Sequence, residues 1–265
     1  MNIPIYTPEE IAKLRIAGRL AAKVLEMIAP HIQPGISTGE LDRLCHRYIE
    51  DDLDCVSATI GYHGYQHATC ISLNHVVCHG IPDFDKKLKR GDILNIDVTI
   101  IKDGFYGDTS AMYIVGENIK GERLSRITRE CLYEAMKVMR AGTRLSEIGR
   151  VIQRHAESNG YSVVRDFCGH GIGKEFHQDP QVLHYDGYDE RTDAVLEEGM
   201  CLTVEPMINA GGWATKVLRD GWTAVTRDKS LSAQWEHTLI VSADGVIVTT
   251  KREDEDLSFL GGEYA

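Results

Sequence analysis

Two stretches of this sequence repeat one another at a nearly constant distance along the chain. Pro34-Gly35-Ile36-Ser37-Thr38-Gly39-Glu40-Leu41 aligns with Ala141-Gly142-Thr143-Arg144-Leu145-Ser146-Glu147-Ile148 at an offset of 107 residues. Arg90-Gly91-Asp92-Ile93-Leu94-Asn95-Ile96-Asp97 aligns with Glu198-Gly199-Met200-Cys201-Leu202-Thr203-Val204-Glu205 at an offset of 108. A long period of this kind means that one structural unit is built twice and that the copies bury surface against each other. The hydrophobic periodicity gives both units the same order, helices first and strands after. Ile11, Leu14, Ala17, Ala21, Val24 and Ile28 recur every three or four positions, the spacing of one helix face, behind the start signal Thr7-Pro8-Glu9-Glu10. Ser37-Thr38-Gly39-Glu40 opens a second helix running towards Asp52, and residues 68–115 turn to short β-branched runs. Residues 122–159 read as two further amphipathic helices, and strands resume after Gly160. Segments 36–115 and 143–245 are therefore expected to share a common path. The expected architecture is α+β, a single domain over residues 1–265 with an internal pseudo-two-fold repeat, each half an antiparallel sheet covered by helices on one face.

Strand alternation places the polar residues within that frame. Asn95, Asp97 and Thr99 share one strand face opposite Leu94, Ile96, Val98 and Ile100, while Cys201, Thr203 and Glu205 oppose Leu202 and Val204. With the apolar faces under helices, a pseudo-two-fold axis brings Asp97 and Glu205 towards each other on the open face.

Composition narrows the function classes. Lys+Arg 29 against Asp+Glu 40 leaves a net charge of −11, the wrong sign for a protein that tracks nucleic acid through phosphates. Charged residues interrupt every apolar stretch well before the ~18 residues a membrane span needs. The N-terminal MNIPIYTPEE lacks the basic and apolar regions of a secretory signal, so a cytoplasmic location is expected. The seven cysteines are odd in number and never spaced C-x-x-C, which fits reduced thiols better than a disulfide framework or a zinc ribbon.

Four groups of residues carry chemical signals. Gly35-Ile36-Ser37-Thr38-Gly39 matches a nucleophile elbow in form, but a helix precedes it and Ser37-x-x-Glu40 is a capping box, so Ser37 reads as a helix cap. Gly169-His170-Gly171-Ile172-Gly173 lacks the spacing of a phosphate loop and is expected to hold His170 on a tight turn. Asp97, Asp108, Glu205 and Glu236 fall on polar strand faces; brought together they repel, and two divalent cations would balance four negative charges while neutral His170 fills a further position. His79 and His177, beside such a pair, are candidate acids, bases or oxyanion donors. Cys78-His79-Gly80-Ile81 echoes the His170 loop, so the halves are expected to present matching His-Gly turns.

Asp97, Asp108, His170, Glu205 and Glu236, separated by 11, 62, 35 and 31 residues, follow the order of the metal ligands of methionine aminopeptidases. Nearly the whole chain resembles a bacterial type I member of that family. The resemblance implies the pita-bread fold, in agreement with the repeat, and a centre of two divalent ions (Co, Mn, Fe or Zn). It makes Asp97 a ligand of one metal, His170 and Glu205 ligands of the other, and Asp108 and Glu236 bridges between them. His79 and His177 fall at substrate-contacting histidines, and Tyr62, Tyr65, Cys70, Phe176 and Trp222 at the wall of a methionine pocket. Asn74, Val76 and Ser232 match a monovalent-cation site of some members.

The implied activity is removal of the initiator methionine from nascent polypeptides when the second residue is small, by metal-activated hydroxide attack. In that scheme Glu205 moves the proton, His177 donates to the oxyanion and His79 holds the scissile amide. Peptide and nascent-chain N-termini are the implied partners, with transient ribosome contact, no nucleic-acid specificity, no membrane, and a monomer. Two departures stand out: Thr59 replaces a frequent cysteine at the pocket rim, adding a hydroxyl there, and Ala210-Gly211-Gly212-Trp213 replaces a more basic loop expected to face the ribosome. Competing readings are a proline-specific peptidase of the same fold, whose members usually carry an extra N-terminal domain; a non-catalytic binding protein, expected to have lost ligands that are all filled here; and a serine hydrolase, indifferent to chelators.

Overall fold

The first helix forms where its capping signals place it. Thr7 Oγ1 accepts from the Glu10 backbone N–H, the Glu10 carboxylate accepts from the Thr7 N–H at 2.9 Å, and Pro8 takes the first helical position, so α1 runs Pro8–Ile28. The computed structural model describes residues 2–261. Leu14, Ala17, Ala21, Val24 and Ile28 form the buried face of α1, with Ile11 packed at its margin. α2 (Thr38–Arg47) begins on Ser37, whose Oγ accepts from Glu40 N at 3.1 Å. The Glu40 carboxylate turns to Arg43 instead of reaching back, so the cap is one-sided. Ser37 is a helix cap here.

The first half continues through β1 (Val56–Ser57), β2 (Thr69–Leu73), β3 (Val76–Cys78), β4 (Ile93–Lys102) and β5 (Phe105–Ile114). β4 and β5 form a long hairpin closed by Asp103 and Gly104, both at positive φ (50° and 78°), as a tight right-twisted turn requires. β1 and β2 follow one another along the other edge of β4. The second half brings α3 (Ile119–Val138), α4 (Leu145–Ser158), β6 (Ser162–Val163), β7 (Gly169–Gly171), β8 (Gln178–Val182) and β9 (Cys201–Val204). After these come β10 (Met207–Asn209), β11 (Thr215–Val217), β12 (Ala224–Thr226), β13 (Ser232–Gln234), β14 (His237–Val241) and β15 (Val246–Val248). Its main sheet runs β15-β14-β9-β7-β8, flanked by two small sheets, β13-β10-β6 and β11-β12-β3.

The repeat is visible bond by bond. Ser37 bridges Lys87 and Arg144 bridges Val195; Gly35 N donates to Leu88 O and Gly142 N to Leu196 O, each at 2.8 Å. Gly35 and Gly142 share a left-handed φ (98° and 88°), as do Gly91 and Gly199 (92° and 89°). The halves diverge after Asp97 and Glu205. The first turns back at Asp103-Gly104 to reach Asp108, whereas the second detours through β10–β13 before β14 pairs with β9. The common path therefore holds through the sheet core and is interrupted over 206–234. That detour is why 11 residues separate the first pair of acids and 31 the second.

Side chains staple the halves together where β5 meets β14. Ser110 bridges Glu236, Thr109 Oγ1 donates to Glu236 O at 2.8 Å, and Thr238 Oγ1 donates to Asp108 O at 2.7 Å. α1 packs on β4 and β5, α3 on β10 and β13, and α4 on β6 and β8. Leu94, Ile96, Val98, Ile100, Leu202 and Val204 are buried in the core, as alternation requires; the opposite faces, expected to be open, are covered as well, since Asn95, Thr99, Cys201 and Thr203 are all buried where the second half packs on the first. All seven cysteines are free, and no described helix is long and apolar enough to cross a membrane.

α1 lies directly against β5: a Cβ on Gly107 would sit 2.4 Å from the Ala17 carbonyl oxygen and 2.5 Å from its carbon. Gly107→Ala must push backbone away from backbone, and urea unfolding should show a loss of about 1–3 kcal/mol. Gly245→Ala, whose Cβ would meet nothing within 4 Å, should stay within about 0.5 kcal/mol of the parent protein. Equal midpoints for the two variants would contradict this close approach.

Candidate active site

A cavity of about 600 Å³ opens on the sheet faces turned away from the core. Asp97, Asp108, His170, Glu205 and Glu236 line it together with His79 and His177, and so do Tyr62, Tyr65, Cys70, Phe176 and Trp222. Each acid arrives by strand geometry. Asp97 sits in the middle of β4, Asp108 lies two positions along β5 from Ser110, the residue paired with Asp97, and Glu205 and Glu236 flank the β9–β14 pair. One oxygen from each of Asp97, Asp108 and Glu236 lies within 4.8 Å of the others. His170 Nε2 lies 3.7 Å from Asp108 Oδ2 and 3.6 Å from Glu205 Oε1. Asp108 thus belongs to two overlapping groups.

His170 is prepared as a ligand by its neighbours. Its Nδ1 lies 3.0 Å from Gly171 O, a carbonyl that can only accept, so the proton is on Nδ1 and the Nε2 lone pair faces the acids. The flanking glycines answer a different need from the expected tight turn. His170 is inside strand β7, and Cβ atoms at Gly169 and Gly171 would fall 2.4 Å from Thr203 O and 2.1 Å from Asp179 O. Neighbouring backbone comes too close for side chains. The expected match with His79 also fails: His79 follows β3, which pairs with β12, and takes a φ of 56°, whereas His170 pairs within β7–β8. The two His-Gly sequences are alike locally and occupy different places in their halves.

Burial dominates the electrostatics. It raises the Asp97 carboxyl to about 7. Burial and then Asp97 raise Asp108, while burial and then Asp108 raise both Glu205 and Glu236 well above the usual carboxylate range. Burial, then His177, lowers His170 to about 3, and burial, then His79, lowers His177 to about 4, so both imidazoles are neutral near pH 7. Burial likewise raises the Cys70 and Cys78 thiols, which leaves oxygen and neutral imidazole as the donors. Four clustered acids with one neutral imidazole suit divalent cations, which would supply the missing positive charge.

Several supporting residues lay outside the sequence expectations. Thr99 Oγ1 donates to Asp108 Oδ1 at 2.8 Å and Thr203 Oγ1 to Glu205 Oε1 at 2.9 Å; their signal was the strand face each shares with an acid. Gln234 Nε2 donates to Glu205 Oε2 at 3.0 Å, from two positions before Glu236. The fully buried His184 accepts the Glu205 backbone N–H at 3.1 Å, and nothing in its sequence context marks it. Around the wall, Tyr65 packs on Trp222 with ring centres 4.9 Å apart, and Tyr62 on Phe176 at 4.8 Å. Thr59 does not add a free hydroxyl to the rim, because its Oγ1 donates to His67 O at 2.7 Å. Asn74 and Ser232 do meet, with Ser232 N donating to Asn74 O at 2.8 Å.

Comparison with known proteins agrees with this geometry. Residues 12–243 match metallopeptidase family M24. The chain is 57% identical over 258 residues to the methionine aminopeptidase of Escherichia coli strain K12, covering 97% of each. Its fold superposes on the crystal structure of methionine aminopeptidase from Rickettsia prowazekii with a TM-score of 0.91 at 50% identity, covering 94% of this chain and 100% of that one. The prolidase of Pyrococcus furiosus shares the fold alone, with a TM-score of 0.74 at 23% identity over 94% of this chain and 66% of its own. Shared ancestry over nearly the full length, on top of a repeat that converges on one acid-lined cavity, means that the chain belongs to metallopeptidase family M24, among its methionine aminopeptidases.

Proposed function

We propose that this chain removes N-terminal methionine from peptides whose second residue is small, using two divalent ions held by the acids and imidazole of the cavity. The observation that carries the reading is the pair of overlapping donor groups, Asp97/Asp108/Glu236 and His170/Glu205/Asp108, at the base of an aromatic wall. Asp97 would hold one ion, His170 and Glu205 the other, and Asp108 and Glu236 both; Co, Mn, Fe and Zn all suit such donors. Bound there, the ions supply Lewis acidity, polarising the scissile carbonyl and lowering the pKa of water towards neutrality. Glu205, its two oxygens steadied by Thr203 and Gln234, takes the proton of the attacking water and returns it to the leaving amine. His177 offers an N–H to the developing oxyanion and His79 holds the scissile amide. The free α-amine is held at the Asp97 end, which restricts the enzyme to N-termini. Tyr62, Tyr65, Cys70, Phe176 and Trp222 enclose an unbranched thioether.

We infer the wider setting as well. The substrates are peptide and nascent-chain N-termini, met in the cytoplasm by a monomeric enzyme in transient contact with the ribosome. A single sedimenting species near 29.6 kDa checks the monomer, and co-sedimentation with ribosomes at low against high salt checks the contact. Cleavage of Met-Ala-Ser, with Ala-Pro-Ala untouched, separates this activity from a proline-specific one.

Metal removal should be legible in stability. A carboxylate raised in the folded state holds more protons than in the unfolded chain, so its contribution is complete below the unfolded value of 3.8 and is lost as pH rises through about 7 for Asp97. Chelated protein should therefore melt lower at about pH 8 than at about pH 5, and metal-loaded protein should lose most of that slope. A chelated melting temperature that climbs over this window would argue against a repulsive acid cluster. Replacement of Asp108 by Asn should abolish tight binding of both ions in isothermal titration, whereas Asp97→Asn should leave the His170 ion partly bound. His177→Ala should lower kcat by about 10²–10³ with little change in KM; a normal kcat with a reduced melting temperature would make His177 merely structural.

A further inference from the structure

The turn at residues 61–64 is bent in an unusual way. Gly61, His63 and Gly64 all take left-handed φ (86°, 48° and 86°), and Gly61 N closes the turn on Tyr65 O at 2.8 Å. Of these, His63 bears the conformational cost, since a residue with a Cβ is disfavoured there. The turn carries Tyr62, from the first half of the molecule, to the second half. Tyr62 Oη lies 2.8 Å from His177 Nδ1, and the Tyr62 ring packs on Phe176. Phe176 and His177 are themselves stacked with ring centres 4.2 Å apart, so the imidazole lies between an aromatic face and the phenol hydroxyl.

Donor and acceptor follow from the chemistry of the two groups. A neutral imidazole has one N–H and one nitrogen lone pair, and a phenol O–H is a far better donor than its oxygen is an acceptor. Burial keeps the Tyr62 phenol protonated. The bond is therefore O–H to Nδ1, and the ring proton lies on Nε2, which makes no hydrogen bond among the described residues.

We propose that Tyr62 is a positioning residue: its hydroxyl fixes the ring orientation of His177 and keeps the imidazole proton on Nε2, turned into the cavity. The inference rests on His177 acting as the oxyanion donor and adds what aims it. Without the hydroxyl the ring can turn about its Cβ–Cγ bond and present carbon or the wrong nitrogen. Because the same phenol ring forms part of the methionine wall, contact with the substrate side chain and aim of the oxyanion donor meet in one residue.

Tyr62→Phe separates the two roles, since the ring remains and only the hydroxyl is lost. We expect kcat to fall about tenfold with KM nearly unchanged, less than for His177→Ala because the donor stays but is no longer held. The hydroxyl should count for nothing once the imidazole is gone, so Tyr62→Phe/His177→Ala should match His177→Ala alone. An independent readout is 15N NMR of metal-free, 15N-histidine-labelled protein, with His177 assigned through His177→Ala. Nδ1 should resonate as an unprotonated, hydrogen-bonded nitrogen and move towards the free imine position in Tyr62→Phe. A protonated Nδ1 in the parent protein, an unmoved resonance in Tyr62→Phe, or an equal loss of kcat from Tyr62→Phe in both backgrounds would overturn the proposal. Failure of the underlying reading looks different: His177→Ala and Tyr62→Phe would both keep normal kcat while the Nδ1 resonance still moved.

Discussion

Mutual repulsion among buried carboxylates is the constraint around which the molecule is arranged. Asp108 and Glu236 are 4% and 2% exposed, and both lie against Asp97 and Glu205. Such a cluster pulls itself apart unless the backbone beneath it is fixed and positive charge is supplied from outside. The staple between β5 and β14 fixes that backbone, because Ser110, Thr109 and Thr238 tie the strands carrying Asp108 and Glu236. A buried cation supports it from below: the Arg252 guanidinium donates to Thr109 Oγ1 at 3.3 Å, and Thr109 in turn holds Glu236 O. Glu255 pairs with Arg252 and reaches His237, so the segment after β15 belongs to the foundation of the site.

Duplication explains how one chain delivers acids from opposite directions. Each half carries a carboxylate on or just past a core strand, Asp97 in the middle of β4 and Glu205 after β9, and each returns on a neighbouring strand that brings a second, Asp108 or Glu236. The halves are not equivalent beyond that point. A two-residue turn suffices for the first, while the detour of the second supplies Met207, Trp222 and Gln234 to the cavity. Symmetry accounts for the acids and asymmetry for much of the wall. The single imidazole belongs to the asymmetric part, since β7 admits His170 only because Gly169 and Gly171 let adjacent backbone pass at contact distance.

The sequence by itself determined the elements governed by periodicity along the chain. Helix starts at Thr7 and Ser37 and the alternation that turns Asp97 and Glu205 away from the helix-covered core follow from spacing within a few turns or strand pairs, the repeat at 107 and 108 residues follows from self-similarity along the chain, and the structure reproduces them. The four acids and the histidine that line one cavity were legible because their order along the chain is distinctive. Tertiary structure alone decided what depends on contacts between distant segments. Asp108 joins both donor groups because β5 meets β14 where the two halves join; Thr59 is turned inward by His67 O; His184 supports Glu205 from 21 residues away in the chain. The link between Tyr62 and His177 spans 115 residues. Local pattern carries no information about such pairs, because strand register and the packing of one half on the other, rather than spacing along the chain, set which atoms come within hydrogen-bonding distance.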